Sequence, residues 1–210
     1  MRETASAPTL TAVRRARPGR VALEVDGRRW RTVPDAVVAA CGLAPGVTLE
    51  RPLLRALRRE LRRAEALEAA ARTLARRDLS ERRLRERLAA RGVRPPAAER
   101  AVTALTSAGL VDDARLARSR VRALADRGWG DEAIAARLEG EGFGRELLPP
   151  ALAELAPEAE RARALAAGAR DRTRAWRLLA RRGFAPESVE AALGRWTDAP
   201  EAGYDTDAYA

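Results

Sequence analysis

A chain of 210 residues with 40 basic and 30 acidic side chains, no histidine and one cysteine has room for one or two ordinary domains and little catalytic equipment. It can form no Ser-His-Asp or Cys-His arrangement, and Cys41 alone builds neither an internal disulfide nor a cysteine-bound zinc site. The net charge of +10, carried by arginine without any lysine, points to a polyanionic partner, nucleic acid first.

Residues 1–18 are rich in Ala, Pro, Thr and Arg without a period and read as a disordered arm. Residues 19–60 predict a small hairpin with helices. Val21, Leu23 and Val25 precede Asp26-Gly27, and Trp30 and Thr32 follow, a hairpin signal because both turn residues tolerate positive φ. A two-residue loop sets Leu23 opposite Trp30 on one face and Glu24 opposite Arg29 on the other. Two strands alone are marginal in water, so Val37, Val38 and Leu43 are expected to supply a supporting helical layer. Cys41 lies in that apolar stretch and reads as a small core residue. After the turn at Ala44-Pro45-Gly46, Leu53, Leu54, Leu57, Leu61 and Leu67 keep helical spacing through a long helix over residues 52–76.

A repeat follows. Ser80, Leu84, Leu88, Gly92 and Val93 return as Gly130, Ile134, Leu138, Gly142 and Phe143, and again as Asp171, Ala175, Leu179, Gly183 and Phe184. Leu74, Leu124 and Leu165 precede the copies at one fixed interval. Ala98, Leu148 and Val189, then Val102, Leu152 and Leu193, then Leu105, Leu155 and Trp196, follow at others. Each copy predicts a helix, then a second helix capped at Ser80, Gly130 or Asp171 and closed by glycine, then a third helix. Pro95 and Pro186 suit a first turn, whereas Pro149 and Pro150 predict a late or distorted start. Segments 61–111, 112–157 and 158–197 are therefore three-helix repeats. The predicted fold class is all-α, an elongated array of three tandem helix-turn-helix-like units behind a small N-terminal β-hairpin plus helix. Between the first two copies, Gly109 ends a helix, Leu110 is expected to plug the core, and Asp112 or Asp113 caps the next helix. Residues 198–210, with Asp198, Glu201, Asp205 and Asp207 and no arginine, read as an acidic disordered tail able to compete with DNA.

Leu79-Ser80-Glu81 through Leu84 and Leu88 to Arg91-Gly92-Val93, followed by Gly109-Leu110-Val111-Asp112-Asp113-Ala114-Arg115-Leu116-Ala117, resembles the RecX family of recombinase regulators. So do Arg118-Ser119-Arg120-Val121 running on to Gly142-Phe143, and Leu178-Leu179-Ala180-Arg181-Arg182-Gly183-Phe184. The resemblance covers residues 62–196. Leu116 departs from the family's usual Phe, and Arg83 stands where Glu would complete a capping box with Ser80. Both departures concern packing or capping. What the resemblance implies is a helical protein, not an enzyme, that lies in the groove of the RecA filament on single-stranded DNA. There it limits filament growth or promotes disassembly, lowering recombinase ATPase and strand exchange, with a place in DNA repair and the SOS response. The partners are then the RecA filament and single-stranded DNA, with double-stranded DNA a further candidate. A cytoplasmic monomer without cofactor, metal or membrane is expected.

The residues expected to carry binding are Arg82, Arg83, Arg85, Arg87 and Arg91 in the first repeat and Arg174, Arg177, Arg181 and Arg182 in the third. The middle repeat offers Arg137 among Asp131, Glu132 and Glu139, so the basic surface is expected at the first and last units. Trp129, between Gly128 and Gly130, reads either as a surface anchor or as a cover over the joint between repeats. The rival reading is a general DNA-binding or nucleoid-associated helical protein. Glu146, Glu154, Glu187 and Glu190 on the helices after the turns oppose base reading, and scarce aromatics oppose base stacking.

Overall fold

The structure is a computed structural model and describes residues 7–194. The chain divides into two compact units, residues up to Asp78 with Leu84–Val111, and Leu79–Arg83 with the residues from Asp112 onward.

The first unit opens with a sheet of β1 (Leu10–Arg17), β2 (Arg20–Val25) and β3 (Arg28–Pro34), antiparallel in that order. Of the segment 1–18 expected as a disordered arm, β1 corrects residues 10–17, while residues 1–6 lie outside the described residues. The arginines of β1 hide the period, since only Leu10 is fully buried, with Ala12 and Val13 half-buried. The backbone secures it: the ladder to β2 lies on one side, and Leu10 N–H donates to Val47 O while Gly46 N–H donates to Leu10 O on the other. Asp26 (φ 48°) and Gly27 (φ 74°) form the expected positive-φ turn between β2 and β3.

Glu24 pairs with Arg29 as expected, but Leu23 pairs with Arg31 and not with Trp30. Trp30 is the extra residue of a bulge, and one inserted residue puts a side chain on the opposite face. It is 41% exposed, with Arg31 over its ring at 5.6 Å. Trp30→Ser is therefore expected to change stability by no more than about 0.5 kcal/mol, against about 3–5 kcal/mol for a core tryptophan, a difference that urea unfolding resolves.

α1 (Asp35–Ala40) and α2 (Arg51–Leu74) cover the sheet. Leu10, Leu23, Val33, Val37, Leu43, Leu49, Leu57 and Leu61 form their common core, with Cys41 half-buried beside it and its thiol pushed up by burial. Arg20 donates twice to the Glu68 carboxylate, at 2.6 and 2.7 Å, and ties β2 to α2. The later turns of α2 pack with α3 (Glu81–Ala89) and α4 (Pro95–Ser107) around Ala66, Ala70, Leu84, Leu88, Ala98, Val102 and Leu105. Leu110 is 61% exposed, and Val111, 3% exposed, is the plug instead. The left-handed turn at Gly109 (φ 69°) reverses the chain one residue before the core is reached.

The second unit contains α5 (Asp113–Ala125), α6 (Asp131–Gly140), α7 (Leu148–Ala153), α8 (Glu158–Ala166), α9 (Arg172–Arg181) and α10 (Pro186–Leu193). Asp112 accepts the Arg115 amide at 2.9 Å and Asp171 the Arg174 amide at 2.7 Å, so both cap as expected. A 3-10 turn, Arg145–Leu147, leads into α7, the distortion that Pro149 and Pro150 predict. Ile134, Leu138, Phe143 and Leu148 centre one core, and Ala162, Leu179, Phe184 and Val189 another.

Two further contacts inside this unit follow one rule. Ser80 Oγ donates to Glu141 O at 2.8 Å, and the equivalent Gly130 donates its N–H to Arg182 O, also at 2.8 Å. In both, the start of one helix meets a glycine turn further along the chain. The expectations for Trp196 and for the acidic segment 198–210 lie outside the described residues. Among the described residues no helix is long and apolar enough to cross a membrane.

Candidate nucleic-acid interface

α2 and α4 lie side by side in the first unit. With Leu57, Leu61, Ala66 and Ala70 turned inward, Arg55, Arg58, Arg59, Arg62 and Arg63 recur at three- and four-residue intervals and share the exposed side of α2. Arg94, the N-cap residue of α4, and Arg100, one turn into that helix, stand on the other wall. Together these seven arginines line a groove of about 460 Å³ whose apolar floor is Pro96 and Ala97. A neighbouring depression of about 360 Å³ shares Arg62, Arg94 and Ala97 and adds Glu65 and Arg91.

The charge in the groove is poorly compensated. Glu60 lies 3.9 Å from Arg59 and 3.7 Å from Arg63. Among the described residues no hydrogen bond or ion pair engages the side chains of Arg55, Arg58, Arg62, Arg94 or Arg100. Each pair of like charges ~7 Å apart costs on the order of 0.5 kcal/mol even in water, and the positive end of α4 adds to the potential. α5 differs: Arg118 and Arg122 both lie against Glu154, at 3.7 and 3.6 Å. Raising sulfate concentration is thus expected to raise the melting temperature of the protein, and Arg58→Gln with Arg62→Gln to reduce that gain; equal gains in both would count against a charged groove.

The sequence-predicted arginines occupy varied settings. Arg82 lies across the turn at Gly142, where a Cβ would come 3.2 Å from the Arg82 side chain. The Arg83 amide is accepted by Ser80 Oγ, and its guanidinium donates to Gly140 O. That contact explains an arginine at this capping position, since a helix C-terminal carbonyl attracts a cation. Arg85 makes a two-pronged bond to Glu99, at 2.8 and 3.1 Å, which holds the Glu99 carboxyl below its usual range. Arg87 is exposed in the last turn of α3. Arg91 donates to Thr73 Oγ1 at 2.6 Å and lines the smaller depression, so it joins the groove's edge. Arg174 lies 3.4 Å from Asp171, Arg177 and Arg181 are exposed on α9, and Arg182 is half-buried, donating to Arg127 O.

Trp129 covers a joint. The guanidinium groups of Arg137 and Arg182 lie 4.5 and 4.8 Å from its ring centre, and its carbonyl accepts from Arg161. Trp129 thus serves as the cover over the joint and not as a free surface anchor.

Sequence reasoning passed over the α2 arginines because an Arg/Leu/Ala/Glu helix looks like an ordinary solvated face. The available signal was imbalance, since Glu60 is the lone acid from Arg51 to Arg63. Arg94 and Arg100 carried no such signal, because their facing α2 is a tertiary fact.

No family profile matches the chain. Curated relatives do. Regulatory protein RecX of Xanthomonas axonopodis pv. citri is 40% identical over 129 residues, 57% of this chain and 80% of the relative. The protein of the same name from Chromohalobacter salexigens is 38% identical over 133 residues, 59% of this chain and 88% of the relative. A crystal structure of a regulatory protein RecX superposes with a TM-score of 0.77 at 22% identity, covering 88% of this chain and 98% of the other. A RecX structure from Lactobacillus salivarius gives 0.58 at 17% identity, covering 62% and 94%. These likenesses bear on the fold: helices with a small antiparallel sheet in this chain. With four-fifths of a relative's length matched at 40% identity, the chain belongs to the RecX family of regulatory proteins.

Proposed function

We propose that the protein regulates homologous recombination by binding the RecA filament on single-stranded DNA and limiting its extension or promoting its disassembly. The observation that carries this reading is the extended identity to proteins named as RecX regulators, 40% over 129 residues with one and 38% over 133 with another. The arginine-rich outer side of α2 suits a partner made of protein and phosphate. A ligand that engages the assembled filament and a free recombinase subunit with different affinity shifts the assembly equilibrium by that difference.

The test is recombinase ATPase on single-stranded DNA. Near-stoichiometric protein is expected to lower the steady-state rate at least several-fold, with filament shortening seen in parallel by electron microscopy. An unchanged rate, together with saturable DNA binding, would replace this reading by that of a general DNA-binding or nucleoid-associated protein.

A further inference from the structure

The groove between α2 and α4 offers cations in a row. One α-helical turn rises about 5.4 Å, so Arg55, the Arg58/Arg59 pair and the Arg62/Arg63 pair form successive steps along one wall. Arg94 and Arg100 face them across the floor. Arginine is suited to phosphate because its planar fork donates two parallel hydrogen bonds and stays charged.

The lining also limits what the ligand can be. No aromatic ring lines the groove, so bases gain no stacking platform there. No Asn, Gln or carboxylate lines it to read base edges. The apolar floor is confined to Pro96 and Ala97, too little to anchor a hydrophobic peptide side chain. A linear row of negative charges fits this arrangement better than a compact folded acidic surface, because the cations are strung along a helix axis.

We infer that the α2–α4 groove binds the phosphodiester backbone of single-stranded nucleic acid, without sequence preference, through Arg55, Arg58, Arg62, Arg94 and Arg100. The groove's own charge carries this assignment, with or without a recombinase partner. Backbone contacts release counterions, about 0.7 per phosphate on a single strand, so four contacts give a salt slope of roughly −3 and roughly 50-fold weaker binding between 50 and 200 mM salt.

The experiment is fluorescence anisotropy of the full-length protein with a labelled 20-nucleotide oligothymidine and with a mixed-sequence oligonucleotide, without recombinase, over a salt series. Three proteins are compared: wild type, the groove variant Arg58→Gln/Arg62→Gln/Arg94→Gln, and a control Arg118→Gln/Arg122→Gln on α5. All the groove positions are exposed, so an unchanged or raised melting temperature is expected and is verified first. The groove variant should bind at least 10-fold more weakly at 100 mM salt and lose about 2 from the slope, equally for both oligonucleotides, while the control stays within two-fold of wild type. Equal losses in groove variant and control would overturn the assignment and leave only diffuse charge attraction. Unchanged DNA binding with lost ATPase inhibition in the groove variant would also overturn it, identifying the groove as a protein-docking surface while sparing the regulatory reading. Groove-dependent DNA binding with no ATPase effect in wild type would support the groove and overturn the recombinase reading instead.

Discussion

Gly130→Ala is expected to lower the stability of the second unit by about 3 kcal/mol or more, a loss of roughly 6–12 °C in melting temperature. The glycine is not needed for its backbone angles, since it is the N-cap residue of α6 with φ −80°. Space decides instead. A Cβ at Gly130 would fall inside the backbone of Gly183 and Phe184, far closer than the 3.0 Å that real Cβ atoms keep. Backbone cannot swing aside as a side chain does, and the bond from Gly130 N–H to Arg182 O fixes the approach. Gly183 is confined from the other side, with φ +71° and Ala133 against it. The contrasting substitution is Gly140→Ala, in the last turn of α6 with open space around it and a helical backbone. It is expected to stabilise by about 0.5–1 kcal/mol through lower unfolded-chain entropy. Thermal melts followed by circular dichroism compare the pair, and a Gly130→Ala protein that melts with wild type would refute a close-packed joint.

Arg161→Leu should cost about 2–3 kcal/mol. The Arg161 side chain is 13% exposed and pairs with Asp131, 33% exposed. It also donates to the carbonyls of Trp129 and Ala156. Its carbon chain can be replaced by leucine, but the hydrogen bonds cannot, and removing one partner leaves a half-buried carboxylate with Glu158 nearby. Glu158 itself accepts from the Asp131 amide at 2.7 Å and the Ala185 amide at 3.2 Å, joining the starts of α6 and α10. Burial already pushes the Asp131 carboxyl above its ordinary range, outweighing Arg161, which lowers it. A carboxyl raised in the folded state favours folding below its unfolded pKa, and that contribution is lost as pH rises through the folded pKa. Without the guanidinium the rise is larger, so the variant's deficit should shrink in acid and be greatest at neutral pH. Urea titrations at several pH values measure this, and a deficit independent of pH would mean that packing, not charge, is what Arg161 supplies. Asp131→Asn in the same chain should recover part of the neutral-pH loss.

The helical trios were legible in the sequence, and the reasons are local. Gly92, Gly142 and Gly183 each have φ between 71° and 89°, a conformation that glycine adopts without steric cost. The stripes Leu84/Leu88, Ile134/Leu138 and Ala175/Leu179 are buried as their four-residue spacing requires. The Asp26-Gly27 turn and the Asp112 and Asp171 caps are likewise settled within a few residues of themselves. Errors arose where a neighbour in space overrode the local pattern. β1 has little period of its own and exists because β2 and residues 46–47 satisfy its backbone. Trp30 left the core because one bulged residue reversed its face, and Leu110 because the turn before it closed one residue early.

The candidate site divides along the same line. From the sequence come the excess of arginine, the family resemblance and the glycine turns at Gly92, Gly142 and Gly183. Each depends on composition or on spacing within a single helix. The tertiary structure alone decides that Arg94 and Arg100 face α2 across a groove, that Arg85 and Arg91 are already bonded to Glu99 and Thr73, and that Arg182 stacks on Trp129. It also decides the grouping into two compact units, which divide at Val111/Asp112 as the repeats do but take Leu79–Arg83 out of the first repeat into the second unit. A side chain's charge is a property of its own residue, but whether that charge is neutralised depends on which distant segment packs beside it.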